Sequence, residues 1–211
     1  MTALAFVVSL FVLQVVAIVV YFSQSGTRLL AIRYTVYPIV WITIGAWVFV
    51  RRPRVPTSTS RRFGAAIVAV GYFLLLSNLG GLLQLSSTPA SIRLAMLSPG
   101  WGPALFYSNE WIQLSVIPFE VVGYAALAAL VYTVVLLGTK SAFAGVFGLA
   151  TCVGCIWPLG VATVAAFGGT LSPLGATAPG YAYDLSTVLF VGTTGMLYWA
   201  AWRTVGGEYG Q

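Results

Sequence analysis

The chain has 211 residues, of which 59% are hydrophobic and only 7% are Asp, Glu, Lys or Arg, with a mean hydropathy of +0.95. A water-facing surface needs about 25% charged residues, so this composition excludes an ordinary soluble domain and leaves lipid to cover most of the exterior. The net charge of +6 and the pI of 9.6 fit loops facing anionic headgroups, and no nucleic-acid-binding module accompanies them.

An apolar run of about 18 residues or more can cross the hydrocarbon core as a helix. Six such runs are read, at roughly 3–22, 29–50, 63–83, 111–138, 141–168 and 185–202. The alternative, a β-barrel, needs period-2 segments of about ten residues, whereas a run such as 6–21 is apolar on every side. Residues 1–211 are therefore expected to form a single transmembrane domain. The fold class is all-α: a polytopic bundle of six transmembrane helices with one short interfacial helix.

The first run lacks a positive segment before it and is about twice a usual signal-peptide core, so it is expected to be retained. Between the second and third runs stand Arg51, Arg52, Arg54, Arg61 and Arg62. Positive charge at this density marks the cytoplasmic side. Alternation then places Lys140 and Arg203 inside with them, and Arg28, Arg33 and Arg93 outside. Both termini are expected to be cytoplasmic, in a multi-pass protein of the cell (plasma) membrane.

Asn78 and Gln84, on the third run, suggest hydrogen bonds to neighbouring helices. In the loop that follows, Thr88 and Pro89 can start a short helix and Ser98-Pro99-Gly100 can stop it, which predicts an interfacial helix. Trp101, Tyr107 and Trp111 suit the outer aromatic belt. Glu110, after Ser108-Asn109, reads as a first-turn acid at a helix N-terminus, and Asp184 as the N-cap of the sixth run. The loop 169–183, rich in Gly, Pro, Ser and Thr, reads as irregular cover.

The inventory excludes several chemistries. Histidine is absent, which removes His-ligated haem, zinc and copper and any Ser-His or Cys-His catalysis. The single aspartate excludes a paired-aspartate protease. No phosphate-binding Gly-rich loop occurs, so an ATPase, where one is needed, is a separate chain.

Cys152 and Cys155 are the only cysteines, three positions apart, a spacing with a chance on the order of one in a hundred for a random pair. On a helix they share one side, and Pro158 frees the carbonyl of Gly154 between them. They could cycle through a disulfide or hold a soft metal such as copper. The spacing resembles that of membrane thiol–disulfide carriers, in which a Cys pair sits on a transmembrane helix near a proline. That likeness covers about seven residues, and this chain lacks the further cysteines such carriers use. The alternative is packing: Gly145 and Gly148 extend a stripe of small residues with the cysteines, and free Cys behaves as a small hydrophobe.

Glu120 is placed near mid-bilayer, where an ionised group costs on the order of 2–3 kcal/mol and is a functional candidate. With Gln113 two turns before it and Tyr124 one turn after, it forms one polar stripe of the fourth run, with Pro118 as a kink. This stripe could line a proton or cation path, or hold helices in register. Arg33 could pair with Glu110 or Glu120. Three functions remain open: thiol-redox or soft-metal handling, a transporter or permease subunit, and a non-catalytic assembly subunit. The partners implied are the lipid bilayer and other membrane subunits.

Overall fold

The computed structural model describes residues 3–25, 32–53, 55–85, 89–137 and 182–208. Among them are five helices: α1 (Ala3–Ser25), α2 (Ile32–Arg51), α3 (Thr59–Leu79), α4 (Pro118–Leu137) and α5 (Ala182–Glu208). Between α3 and α4 lies a four-stranded sheet of β1 (Leu83–Leu85), β2 (Ser91–Ala95), β3 (Ala104–Ser108) and β4 (Ile112–Val116). The order is β1-β4-β3-β2, with every neighbouring pair antiparallel.

The all-α, six-span bundle is therefore incorrect. Among the described residues, three helical segments are long and apolar enough to cross a membrane: Leu4–Gln24 in α1, Thr59–Leu79 and Pro118–Leu137. In α2 the apolar segment is shorter, Thr35–Arg51. In α5 the apolar residues are diluted by Ser186, Thr187, Gly192, Thr193, Thr194 and Gly195. The run 141–168 lies outside the described residues.

The expected interfacial helix is also replaced, since Ser91–Ala95 is strand β2 paired along its whole length with β3. Residues 112–116 of the fourth run form β4, and α4 begins only at Pro118. The reason is periodicity. Ile-Gln-Leu-Ser-Val alternates apolar and polar, as does Ser-Ile-Arg-Leu, and alternation is the signature of a strand with two unlike faces. At 109 the helix-capping chemistry is present but turns a hairpin. The Asn109 Oδ1 accepts from the backbone N–H of Trp111 (2.9 Å) and Ile112 (2.7 Å), while the Asn109 N–H donates to the Ile112 carbonyl (2.9 Å). An Asn side chain closes such a turn as readily as it caps a helix.

Register assigns the faces. Gln84 lies opposite Gln113, Gln113 opposite Ser108, and Ser108 opposite Ser91, a polar row across all four strands. The next row is Leu83, Leu114, Tyr107 and Ile92, on the other face. Along β3 the residues of the polar face, Ala104, Phe106 and Ser108, are buried or half-buried, while Leu105 and Tyr107 are exposed. On β3 the covered face is therefore that of Ala104, Phe106 and Ser108, whereas on β1 and β2 both faces are open, with Gln84, Ser91 and Arg93 exposed on one side and Leu85, Ile92 and Leu94 on the other.

The chain divides into two compact units, one of Met1–Arg51 with Tyr72–Ala128, the other of Arg52–Gly71 with Ala129–Gln211. In the first, α1 lies against α2. Gln14 Nε2 donates to Thr43 Oγ1 at 3.3 Å and also to the Leu10 carbonyl. The rest of α1 exposes Phe6, Phe11, Leu13 and Val19. On α2 the buried stripe is Tyr37, Pro38, Trp41, Gly45 and Val48, at helical spacing. Gly45 allows Val122 and Ala126 of α4 to approach closely. In the second unit the buried residues of α5 are Phe190, Thr193, Thr194, Leu197 and Ala201, again one helical stripe.

Candidate functional site: a buried carboxylate under an aromatic cluster

Helix α4 starts on a proline for a local reason. Ile117 accepts the first helical bond, from the Val121 N–H (3.1 Å), and Pro118 occupies the first helical position, where its missing N–H costs nothing. The Phe119 N–H would otherwise be unsatisfied, and donates to the Gly100 carbonyl (3.3 Å) in the loop between β2 and β3. Gly100 has φ +91°, and a Cβ there would collide with Pro38 of α2. One glycine therefore lets the loop touch α2 and cap α4 together.

This start directs the side chains of two successive turns into the unit. Phe119 is 1% exposed and packs edge-on against Trp101 (ring centroids 4.8 Å) and Trp41 (5.5 Å). Trp41 also meets the ring of Tyr124 edge-on at 5.7 Å. Tyr124, one turn beyond Glu120, reaches Gly80 at the end of α3, where any Cβ would collide with its ring and hydroxyl. Glu120 lies between Phe119 and this tyrosine in sequence and is only 5% exposed. Its carboxylate is in the first turn of α4, where the helix dipole favours negative charge and burial disfavours it.

The sequence reading of this region needs correction. Glu120 is not in the middle of a long helix but three residues into α4, and Gln113 lies on β4. A single helical stripe of Gln113, Glu120 and Tyr124 is therefore broken at Ile117. Glu120 and Tyr124 keep their shared side of α4, while Gln113 joins the polar row of the sheet. Glu110 is exposed in the β3–β4 turn, not at a helix start. Asn78 donates to the Leu83 carbonyl (3.1 Å) and closes the α3–β1 turn, and Gln84 is on β1, so neither has the interhelical place expected. Asp184 lies in the first turn of α5.

Cys152, Cys155, Pro158, Lys140, Gly145, Gly148 and most of the loop 169–183 lie outside the described residues. So does the side chain of Arg33, whose backbone is in α2.

Sequence reasoning missed the aromatic cluster and the Gln14–Thr43 contact. A signal existed for both. Tyr37, Trp41 and Gly45 repeat at four-residue spacing, and Gln14 is the one amide in the first apolar run. Two further aromatic contacts involve arginines, with the Arg51 guanidinium at the end of α2 5.1 Å from the Trp47 ring centre and that of Arg203 within α5 4.1 Å from Trp199, within cation–π range.

A family model described as a family of unknown function, DUF7546, matches residues 1–204. No curated protein and no solved structure matches the chain.

Proposed function

This chain belongs to the DUF7546 family, and for this member we propose an integral membrane protein of the transporter or permease-subunit kind, with Glu120 as its working group. In this reading the Glu120 carboxylate takes up and releases a proton or a small cation, with the Tyr124 hydroxyl as its neighbour one turn along α4. One observation carries the reading: a carboxylate only 5% exposed, at the start of a helix long and apolar enough to span. Carboxylates in such places are costly and are kept for ion or proton handling. The helix dipole eases the charged state and burial opposes it, so small changes in the surroundings move the balance. The cluster Arg51, Arg52, Arg54, Arg61 and Arg62 supports a cytoplasmic position for the segment that joins α2 to α3.

The test is labelling of native membranes with a lipid-soluble carbodiimide, which reacts with protonated carboxyls in apolar surroundings, followed by peptide mass analysis. Glu120 should be modified while the exposed Glu110 is not, and the modification should fall with rising pH or added cation. Glu120→Gln should fold and abolish any cation-dependent pH change in proteoliposomes. If Glu120 is unmodified at every pH and Glu120→Gln behaves as wild type, it is a packing residue only.

A thiol-redox or soft-metal role for Cys152 and Cys155 is a second proposal, supported by their spacing before Pro158. A gel shift with maleimides on native membranes, with and without reductant, tests it. Two thiols that stay reduced and unreactive would end it.

A further inference from the structure

We propose that the outward face of the sheet rests on the bilayer itself, so that the four strands lie flat in the headgroup layer as a lipid-seated cover and not as an aqueous domain. The inference builds on the membrane reading above. It starts from an apolar face that is left uncovered. Ile92, Leu94, Leu105, Tyr107, Ile112 and Leu114 share the outward face by register. Ile92 is 75% exposed and Leu85, at the end of the same face, 87%. A sheet in water turns such residues inward. Alternation with the apolar side chains left exposed is what a strand adopts when lipid is the solvent on that side.

The attachment of the sheet fixes where that lipid is. β1 begins four residues after the end of α3, and β4 ends two residues before the start of α4. Both helices are long and apolar enough to span. The β1–β4 pairing and the bond from the Ser115 N–H to the Leu82 carbonyl (2.8 Å) hold these two ends side by side. The sheet therefore cannot leave the membrane boundary that its two flanking helices define. Trp111, 75% exposed in the β3–β4 turn, and Tyr107 beside it supply the aromatic groups that favour the headgroup level.

Lipid fits this face better than a second protein does. Protein interfaces carry about one hydrogen bond per 100–200 Å², yet the Tyr107 hydroxyl is the sole side-chain polar group on the outward face, and Asn109 Nδ2 already donates to it (3.3 Å). The apolar exposure also continues past the sheet, into Leu74 and Leu75 of α3 and Met96 and Leu97 after β2. One partner would cover one face, whereas lipid wets all of it. The depth is bounded as well. β1 and β2 are edge strands, and unpaired backbone groups are not tolerated in hydrocarbon. Only the outward side chains enter the acyl region.

The experiment is nitroxide accessibility in the full-length protein, reconstituted in nanodiscs of phosphatidylcholine and phosphatidylglycerol. In a Cys152→Ser, Cys155→Ser background, single cysteines are placed by Ile92→Cys, Leu94→Cys and Leu105→Cys on the outward face. Ser91→Cys and Arg93→Cys mark the opposite, polar face, and Val12→Cys marks α1 as the lipid reference. All these positions are exposed, so labelling should leave the fold intact. The expected result is a period-2 pattern along β2, with the oxygen-to-nickel-chelate accessibility ratio several-fold higher at 92 and 94 than at 91 and 93, and close to that at 12. Nickel access at 92, 94 and 105 with oxygen preference kept at 12 would overturn the proposal and leave the membrane reading standing. Nickel access at 12 would overturn both. Shielding of 92, 94 and 105 from both reagents, with dipolar broadening between labels, would overturn it in favour of a sheet-to-sheet contact between two copies.

Discussion

Phe119, next to Glu120, is among the largest fully buried side chains, and Phe119→Ala measures what its packing contributes. A buried Phe reduced to Ala costs about 3–5 kcal/mol, partly from transfer and partly from the cavity left behind. Within lipid or detergent the unfolded chain already places its rings in apolar surroundings, so the transfer part shrinks and packing carries the cost. Two edge-to-face contacts are lost, with Trp101 and Trp41, each contributing about 0.5–1.5 kcal/mol beyond area. The expected destabilisation is therefore at the lower end, about 3 kcal/mol. It can be read from reversible unfolding in mixed detergent micelles, followed by tryptophan fluorescence. A double-mutant cycle with Trp101→Ala isolates the ring pair, with an expected coupling of about 0.5–1.5 kcal/mol. Phe63→Ala is the control, because that ring is 70% exposed and should cost little. The reasoning is refuted if Phe119→Ala is no worse than Phe63→Ala, or if the cycle shows no coupling.

What the sequence made legible depended on which periodicity was sought. Apolar length located helical segments at 3–22 and within 63–83 well, because a run that is apolar on every side has no amphipathic alternative to consider. It failed between 84 and 117, where the criterion of length overrode the criterion of alternation. Ile112–Val116 is five residues of strict alternation, yet it joins the apolar stretch after Pro118 and so reads as the start of one long helix. Asn109 was ambiguous for a physical reason, since the same side-chain bond closes a hairpin or caps a helix. Which face of the sheet is left uncovered was not legible at all. Alternation says that a strand has two faces but not which one is covered; that depends on the solvent. Glu120 was correctly singled out as a buried acid. Its depth followed from the wrong helix start, and so did the error of putting Gln113 beside it.

Further changes test the separate joints of this arrangement. Asn109→Ala removes two acceptor contacts to the backbone of the hairpin turn and should cost about 1 kcal/mol; amide exchange should quicken in β3 and β4 and stay unchanged in α1. Gln14→Leu should weaken the α1–α2 pair by about 0.6 kcal/mol, the average for a side-chain bond between membrane helices. Thr43→Val should give the same loss, and the double variant no more than either; additive losses would mean that the 3.3 Å contact carries nothing. Gly100→Ala is the sharpest of these tests because it links the loop to the site. At φ +91° an L side chain is strained, and its Cβ would meet Pro38, so the loop must shift away from α2. That shift withdraws the Gly100 carbonyl from the Phe119 N–H and loosens Trp101 over the ring. The strain alone costs on the order of 1–3 kcal/mol, and the released N–H adds to it. Thermal unfolding should therefore fall well below wild type, and carbodiimide modification of Glu120 should change in the same samples. In a Pro38→Gly background, which lacks the Cβ that the new side chain would strike, Gly100→Ala should cost less than in wild type, the collision being removed but not the strain. Wild-type stability with unchanged Glu120 reactivity would show that the loop merely lies beside the helix start and does not position it.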